Sequence, residues 1–120
     1  MAWQFNSREA VFVQIANRLR CDIVGGKYPH GEQVPSVRQL AFEAAVNPNT
    51  MQKALSMLED EGLLVSRGTV GRFVTADSEI LERAGEKMRR EAVKGWLADA
   101  EMIGLSPDEM IKYIEEEIQK

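Results

Sequence analysis

Ser36-Val37-Arg38-Gln39-Leu40-Ala41-Phe42-Glu43-Ala44-Ala45-Val46-Asn47-Pro48-Asn49-Thr50-Met51-Gln52-Lys53-Ala54-Leu55 contains two helix starts close together, and that closeness decides the fold. At the first, Ser36 and Gln39 stand at capping-box spacing: the Ser36 hydroxyl can accept from the Gln39 backbone N–H while the Gln39 side chain reaches back. Val37, Leu40 and Ala41 then face inward and Arg38 outward. At the second, Asn47 is a good N-cap and Pro48 takes the first helical position, where its missing N–H is no loss. Met51, Ala54, Leu55 and Leu58 follow at i, i+3, i+4 and i+7, the spacing of one buried helix face, and Gly62 ends the run. Two short helices joined by Ala44–Val46, with Ala45 as the small turn residue, predict a helix-turn-helix.

The flanks complete the pattern. Val11, Ile15, Leu19 and Ile23 recur every four residues and predict a helix from Arg8 to Val24, stopped by Gly25-Gly26. Residues 27–35, with two prolines and a glycine, read as a loop. After Gly62, Leu63-Leu64-Val65-Ser66 and Arg72-Phe73-Val74-Thr75 are β-prone runs around Arg67-Gly68-Thr69-Val70-Gly71, a hairpin with a basic tip. A helix-turn-helix followed directly by such a hairpin is a winged helix. The expected fold is therefore mainly α with a small β-hairpin, the winged helix-turn-helix filling residues 1–75.

Residues 76–120 read as a two-helix tail. One helix starts at Asp77 or Ser78 and runs to about Ile103, marked by Leu81, Ala84, Met88, Ala92, Trp96 and Ala100; at 1.5 Å per residue it spans roughly 39 Å. Ser106-Pro107-Asp108-Glu109 starts a second, with Met110, Ile111, Ile114 and Ile118 on its apolar face. That stripe has no core of its own, so a second tail is the simplest cover, which makes residues 76–120 a dimerisation tail.

Composition narrows the function. The net charge of −4 is unevenly spread: residues 1–75 hold 8 Lys/Arg against 7 Asp/Glu, and the rest 7 against 12. Polyanion binding needs a local basic face, which only the N-terminal part offers. The single cysteine, Cys21, excludes an internal disulfide, and with no secretory leader or spanning stretch this points to the cytoplasm and away from a membrane. With one His and one Cys, a zinc site would have to be built of carboxylates, so no metal or cofactor is expected. No acid pair, nucleophile–base set or phosphate loop emerges, His30 stands alone in its loop, and no catalytic residue is assigned.

The segment from Val13-Gln14-Ile15-Ala16 through Phe73-Val74 resembles the DNA-binding domain of the GntR family of bacterial transcription regulators. The matching stretches are Gly31-Glu32-Gln33-Val34-Pro35-Ser36-Val37-Arg38-Gln39-Leu40-Ala41, Ala54-Leu55 to Gly62-Leu63, and Gly71-Arg72-Phe73-Val74. Val46-Asn47-Pro48-Asn49-Thr50-Met51-Gln52-Lys53-Ala54 and Leu105-Ser106-Pro107 are similar to the short YtrA-like subfamily. The resemblance implies a homodimer that reads a palindromic double-stranded operator and represses its own operon, which in this subfamily often encodes an ABC transporter. Carried over by position, it implies phosphate or base contact by Arg38. Asn47, Asn49, Thr50 and Gln52 fall at the start of the recognition helix, Lys53 near the backbone, and Arg67, Thr69, Gly71 and Arg72 on a wing at the minor groove. Many members have a Ser-Arg pair where this chain has Asn47-Pro48, so their base preferences do not transfer.

The chemistry of the residues agrees. Asn and Gln pair with adenine, Arg with guanine, and Lys and Thr with phosphate oxygens. Ser36 and Asn47 are candidates for DNA contact that also have a complete explanation as caps, worth about 1 kcal/mol each. Two alternatives stay open at this point: a winged helix serving as a protein-interaction module, and a small-molecule sensor in which Trp3, Phe5 or Trp96 lines a dimer pocket for an unidentified effector.

Overall fold

The computed structural model describes residues 3–120. Among these, the chain forms α1 (Val11–Val24), α2 (Val37–Ala44), α3 (Pro48–Asp60), β1 (Leu64–Arg67), β2 (Gly71–Val74), α4 (Ser78–Met102) and α5 (Pro107–Ile118). The helix starts read from the sequence are capped, but at α2 only half of the expected box forms. Ser36 Oγ accepts from the Gln39 N–H at 3.1 Å without a reciprocal bond from the Gln39 side chain, and Asn47 Oδ1 accepts from the Asn49 N–H at 2.7 Å. Asp77 settles the choice at α4, its Oδ1 accepting from the Glu79 N–H at 3.0 Å. At α5 the capping box closes in both directions: Ser106 Oγ accepts from the Glu109 N–H and the Ser106 N–H donates to the Glu109 carboxylate. Those hydrogen bonds hold the Glu109 pKa below its ordinary value.

The core of the first compact unit joins Ile15, Leu19 and Ile23 of α1 to Leu40 of α2 and to Met51, Leu55 and Leu58 of α3, with Leu63, Leu64 and Val74 closing it from the hairpin. Helix 1 begins at Val11 rather than Arg8. The Gln14 side chain explains this, because it donates to the Asn6 and Glu9 carbonyls and accepts from the Asn6 N–H, holding residues 6–9 in a non-helical path. Val11, expected in the core, is therefore 37% exposed.

Residues 31–34 are more than a loop. The Gly31 and Val34 N–H groups donate to the Val74 and Arg72 carbonyls at 3.0 Å, and Gln33 forms an isolated bridge with Phe73, so the segment lies along β2 beside the two-stranded sheet. Across the hairpin, Leu64 pairs with Val74 and Arg67 with Gly71. Arg20 ties α1 to the end of α3 through two bonds to the Glu61 carboxylate, at 2.7 and 2.6 Å.

Ile80, Leu81 and Ala84 of α4 pack against this core, and the first compact unit runs through Gly85. The second unit is Glu86–Lys120. Most of its larger apolar side chains are open: Trp96 is 57% exposed, Ile111 56% and Ile118 76%, and α5 buries no residue.

Ala45, between α2 and α3, has φ 58° and ψ 47°, a left-handed conformation that presses an L-residue's Cβ against its own backbone. Replacing it with glycine relieves that strain. Offset by glycine's greater freedom in the unfolded chain, Ala45→Gly stabilises by about 1 kcal/mol and raises Tm by a few degrees. Thermal melts of the two proteins check this, and an unchanged or lowered Tm would contradict it.

Candidate nucleic-acid interface

Helix 3 buries Met51, Ala54, Leu55 and Leu58 and turns Asn49, Gln52 and Lys53 outward, with Thr50 and Ser56 half-buried beside them. From Asn47 to Ser56 this face holds no acid; Glu59, Asp60 and Glu61 follow only at the far end. Because its apolar half is locked in the core, the outward half has a fixed orientation. Asn49, Gln52 and Lys53 thus form one polar, partly cationic surface. The Lys53 ammonium sits 4.1 Å from the centroid of the Phe12 ring, so α1 holds it at the flank of α3.

Arg38 is exposed on α2 and makes no ion pair among the described residues. It borders two depressions. Ser36, Thr69, Gly71 and Arg72 share the first with it, which joins the start of α2 to the wing tip. Phe42, Ala45 and Pro48 share the second, which joins it to the start of α3. Arg38 therefore stands between the wing tip and the start of α3.

The wing residues divide. Arg67 is exposed, its guanidinium 4.5 Å from the Phe73 ring centroid, and Thr69 is exposed at the turn. Arg72 is different: its side chain is 15% exposed and ion-paired with Glu59, so it fastens β2 to the end of α3 and its charge is already met within the fold. Gly71 also has a structural reason. It has φ 131°, and a Cβ there would lie 2.6 Å from Gln33 Nε2, which donates to the Val70 carbonyl at 2.6 Å. Ser36 and Asn47 spend an oxygen each on their caps.

Gln33 and Phe42 were not singled out from the sequence. Gln33 carries no local signal, since its partner carbonyl lies across the fold at Val70. Phe42 did carry one: it falls four residues after Arg38, on the outward face of α2, where a large apolar group is out of pattern. Trp3 and Phe5 pack against the core, with Arg18 4.2 Å over the Trp3 ring, whereas Trp96 is exposed on α4.

This arrangement meets its counterparts among known proteins. The model of the "Bacterial regulatory proteins, gntR family" matches residues 12–74, from α1 to the end of the wing. The HTH-type transcriptional regulator YhcF of Bacillus subtilis is 32% identical over 92% of each chain. The HTH-type transcriptional repressor YtrA of the same organism is 28% identical over 92% of this chain and 85% of its own. A GntR family transcriptional regulator from Listeria monocytogenes superposes with a TM-score of 0.85 at 24% identity, covering 93% of this chain and 98% of its own. The DNA-binding domain of AraR in complex with operator ORX1 is 25% identical over 60% of this chain and 93% of its own, with a TM-score of 0.54.

Proposed function

The chain belongs to the GntR family of bacterial regulatory proteins and is a winged helix-turn-helix transcription regulator; from that premise we propose that it acts as a homodimeric repressor on a palindromic double-stranded operator. The observation that carries this reading is the acid-free, outward face of α3, flanked by Arg38 and by the exposed Arg67 and Thr69 of the wing. Asn49 and Gln52 read base edges, Thr50 and Lys53 meet the backbone near them, and Arg38 takes a phosphate beside the recognition helix. Ser36 and Asn47 add their remaining donors after capping. Gly71 and Arg72 serve the interface by shaping and fastening the wing rather than by direct contact. Repression is supported by the name of the YtrA relative, and operator binding by the AraR complex. The regulated operon is the chain's own, with ABC-transporter genes as first candidates, and the site of action is the cytoplasm, where the operator lies. No cofactor is needed for reading DNA.

Selection of tight-binding duplexes from a randomised pool tests the reading, and recovery of a two-fold symmetric site is the expected result. Recovery of no preferred duplex would overturn it. On the selected site, Asn49→Ala and Gln52→Ala each relax preference at a particular base pair by about 1–3 kcal/mol, seen as loss of discrimination in competition gel shifts. Unchanged preference in both variants would remove α3 from base reading.

Arg67→Ala acts differently. Each phosphate contact releases counterions, so losing one flattens the slope of log affinity against log salt by about 0.9 per protomer. Titrations between low and moderate salt measure this. An unaltered slope would place the wing tip off the backbone.

A further inference from the structure

Phe42 is 87% exposed, more than any other large apolar side chain among the described residues. A single exposed apolar residue needs no explanation, but Phe42 is not isolated. With Ala41, Ala45, Val46 and Pro48 it lines a notch whose polar wall is Arg38, and no acid borders it. The notch is preformed: the Ala45 and Val46 N–H groups donate to the Phe42 and Ala41 carbonyls at 3.2 and 3.0 Å, fixing the turn. Ala45 holds its left-handed φ of 58° although glycine would fit there without strain, and its exposed methyl is spent on this notch.

The position of the notch limits what can occupy it. Pro48 is the first residue of α3, between Asn47 and Asn49, and the first residues of a recognition helix meet base edges in the major groove. The edges exposed there carry hydrogen-bonding groups and one apolar group, the thymine 5-methyl. Proline offers neither donor nor acceptor from its side chain, so Pro48 can read a base only by apolar contact. We propose that the Phe42–Ala45–Pro48 notch is a specificity element that receives the 5-methyl of one thymine in each operator half-site. It rests on the operator-binding reading above and adds a base preference that the polar residues of α3 do not supply. Phe42 forms the outer wall and Pro48 the inner one, while Arg38 anchors the adjoining phosphate.

The test uses the full chain and its selected duplex, replacing each thymine in turn with deoxyuridine, which removes the 5-methyl and leaves base pairing intact. One thymine per half-site is expected to lose about four-fold in affinity on that change, the size of one buried methyl's contribution. In Phe42→Ala that penalty vanishes, and in Ala45→Gly it shrinks; Phe42 is exposed, and Ala45→Gly relieves strain, so both variants keep the fold. Insensitivity of the intact protein at every thymine would overturn the proposal while leaving operator binding in place. So would a sensitive thymine that stays equally sensitive in both variants, which would leave the exposed ring to a protein contact. Failure of the intact chain to select any duplex would overturn the operator reading itself, and the notch with it.

Discussion

Arg38→Ala weakens binding to the palindromic operator by at least about a hundredfold while leaving the melting temperature unchanged. A hydrogen bond to a charged group contributes about 1.5–3 kcal/mol, and a two-fold operator bound by two copies loses two of them. The fold loses nothing comparable: Arg38 is exposed on α2 and makes no ion pair among the described residues. It borders both the depression shared with the wing tip and the notch at the start of α3. Its loss also flattens the salt slope by about 0.9 per protomer. Arg72→Ala gives the opposite pattern, since it strips Glu59 of its partner in a mostly buried ion pair and lowers the melting temperature first. Fluorescence anisotropy at fixed salt, with thermal melts of both variants, separates the two roles. Wild-type operator affinity in Arg38→Ala would remove this face of α2 from the interface.

That contrast between two arginines shows where sequence reading reaches and where it stops. The helix-turn-helix was legible because its signals are local: Ser36, Asn47 and Pro48 mark helix starts within a few residues of the groups they satisfy, and the spacing of Met51, Ala54, Leu55 and Leu58 reports one face directly. The outward position of Asn49, Gln52 and Lys53 follows from the same period. What failed to show depends on partners distant in the chain. Nothing near Arg72 announces Glu59, nothing near Lys53 announces Phe12, and the pairing of residues 31–34 with β2 is hidden by the two prolines that make the stretch look like a plain loop. The start of α1 was misplaced for the same reason, because a glutamine side chain three residues into the helix takes the backbone groups before it. Periodicity also says nothing about an exposed residue's purpose. Phe42 was visible as an exception on its helix, yet only the notch around it gives the exception a use.

Exposed apolar surface also sets the last prediction, at the other end of the chain. Leu97→Gln combined with Ile114→Gln converts the protein to a monomer and lowers affinity for the palindrome by roughly a hundredfold, while binding to a single half-site stays the same. The unit Glu86–Lys120 cannot be stable by its own burial. Chains below about 40 residues seldom bury enough surface to fold without help, and here α5 buries no residue while Trp96, Leu97, Ile111, Tyr113 and Ile114 remain 41–57% exposed. A second copy offers the same apolar faces, and two-fold pairing of identical tails covers both at once. Pairing also joins two recognition helices, so that the second half-site is bound from a high local concentration rather than from bulk solution. Glutamine keeps the helix propensity and the net charge, so the substitutions remove apolar contact without adding repulsion toward DNA. Light scattering reports the oligomeric state, and titration of the palindrome against its half-site reports the coupling. A variant that remains dimeric, or an intact chain that binds the half-site as tightly as the palindrome, would show that the tail does not hold two copies together on the operator.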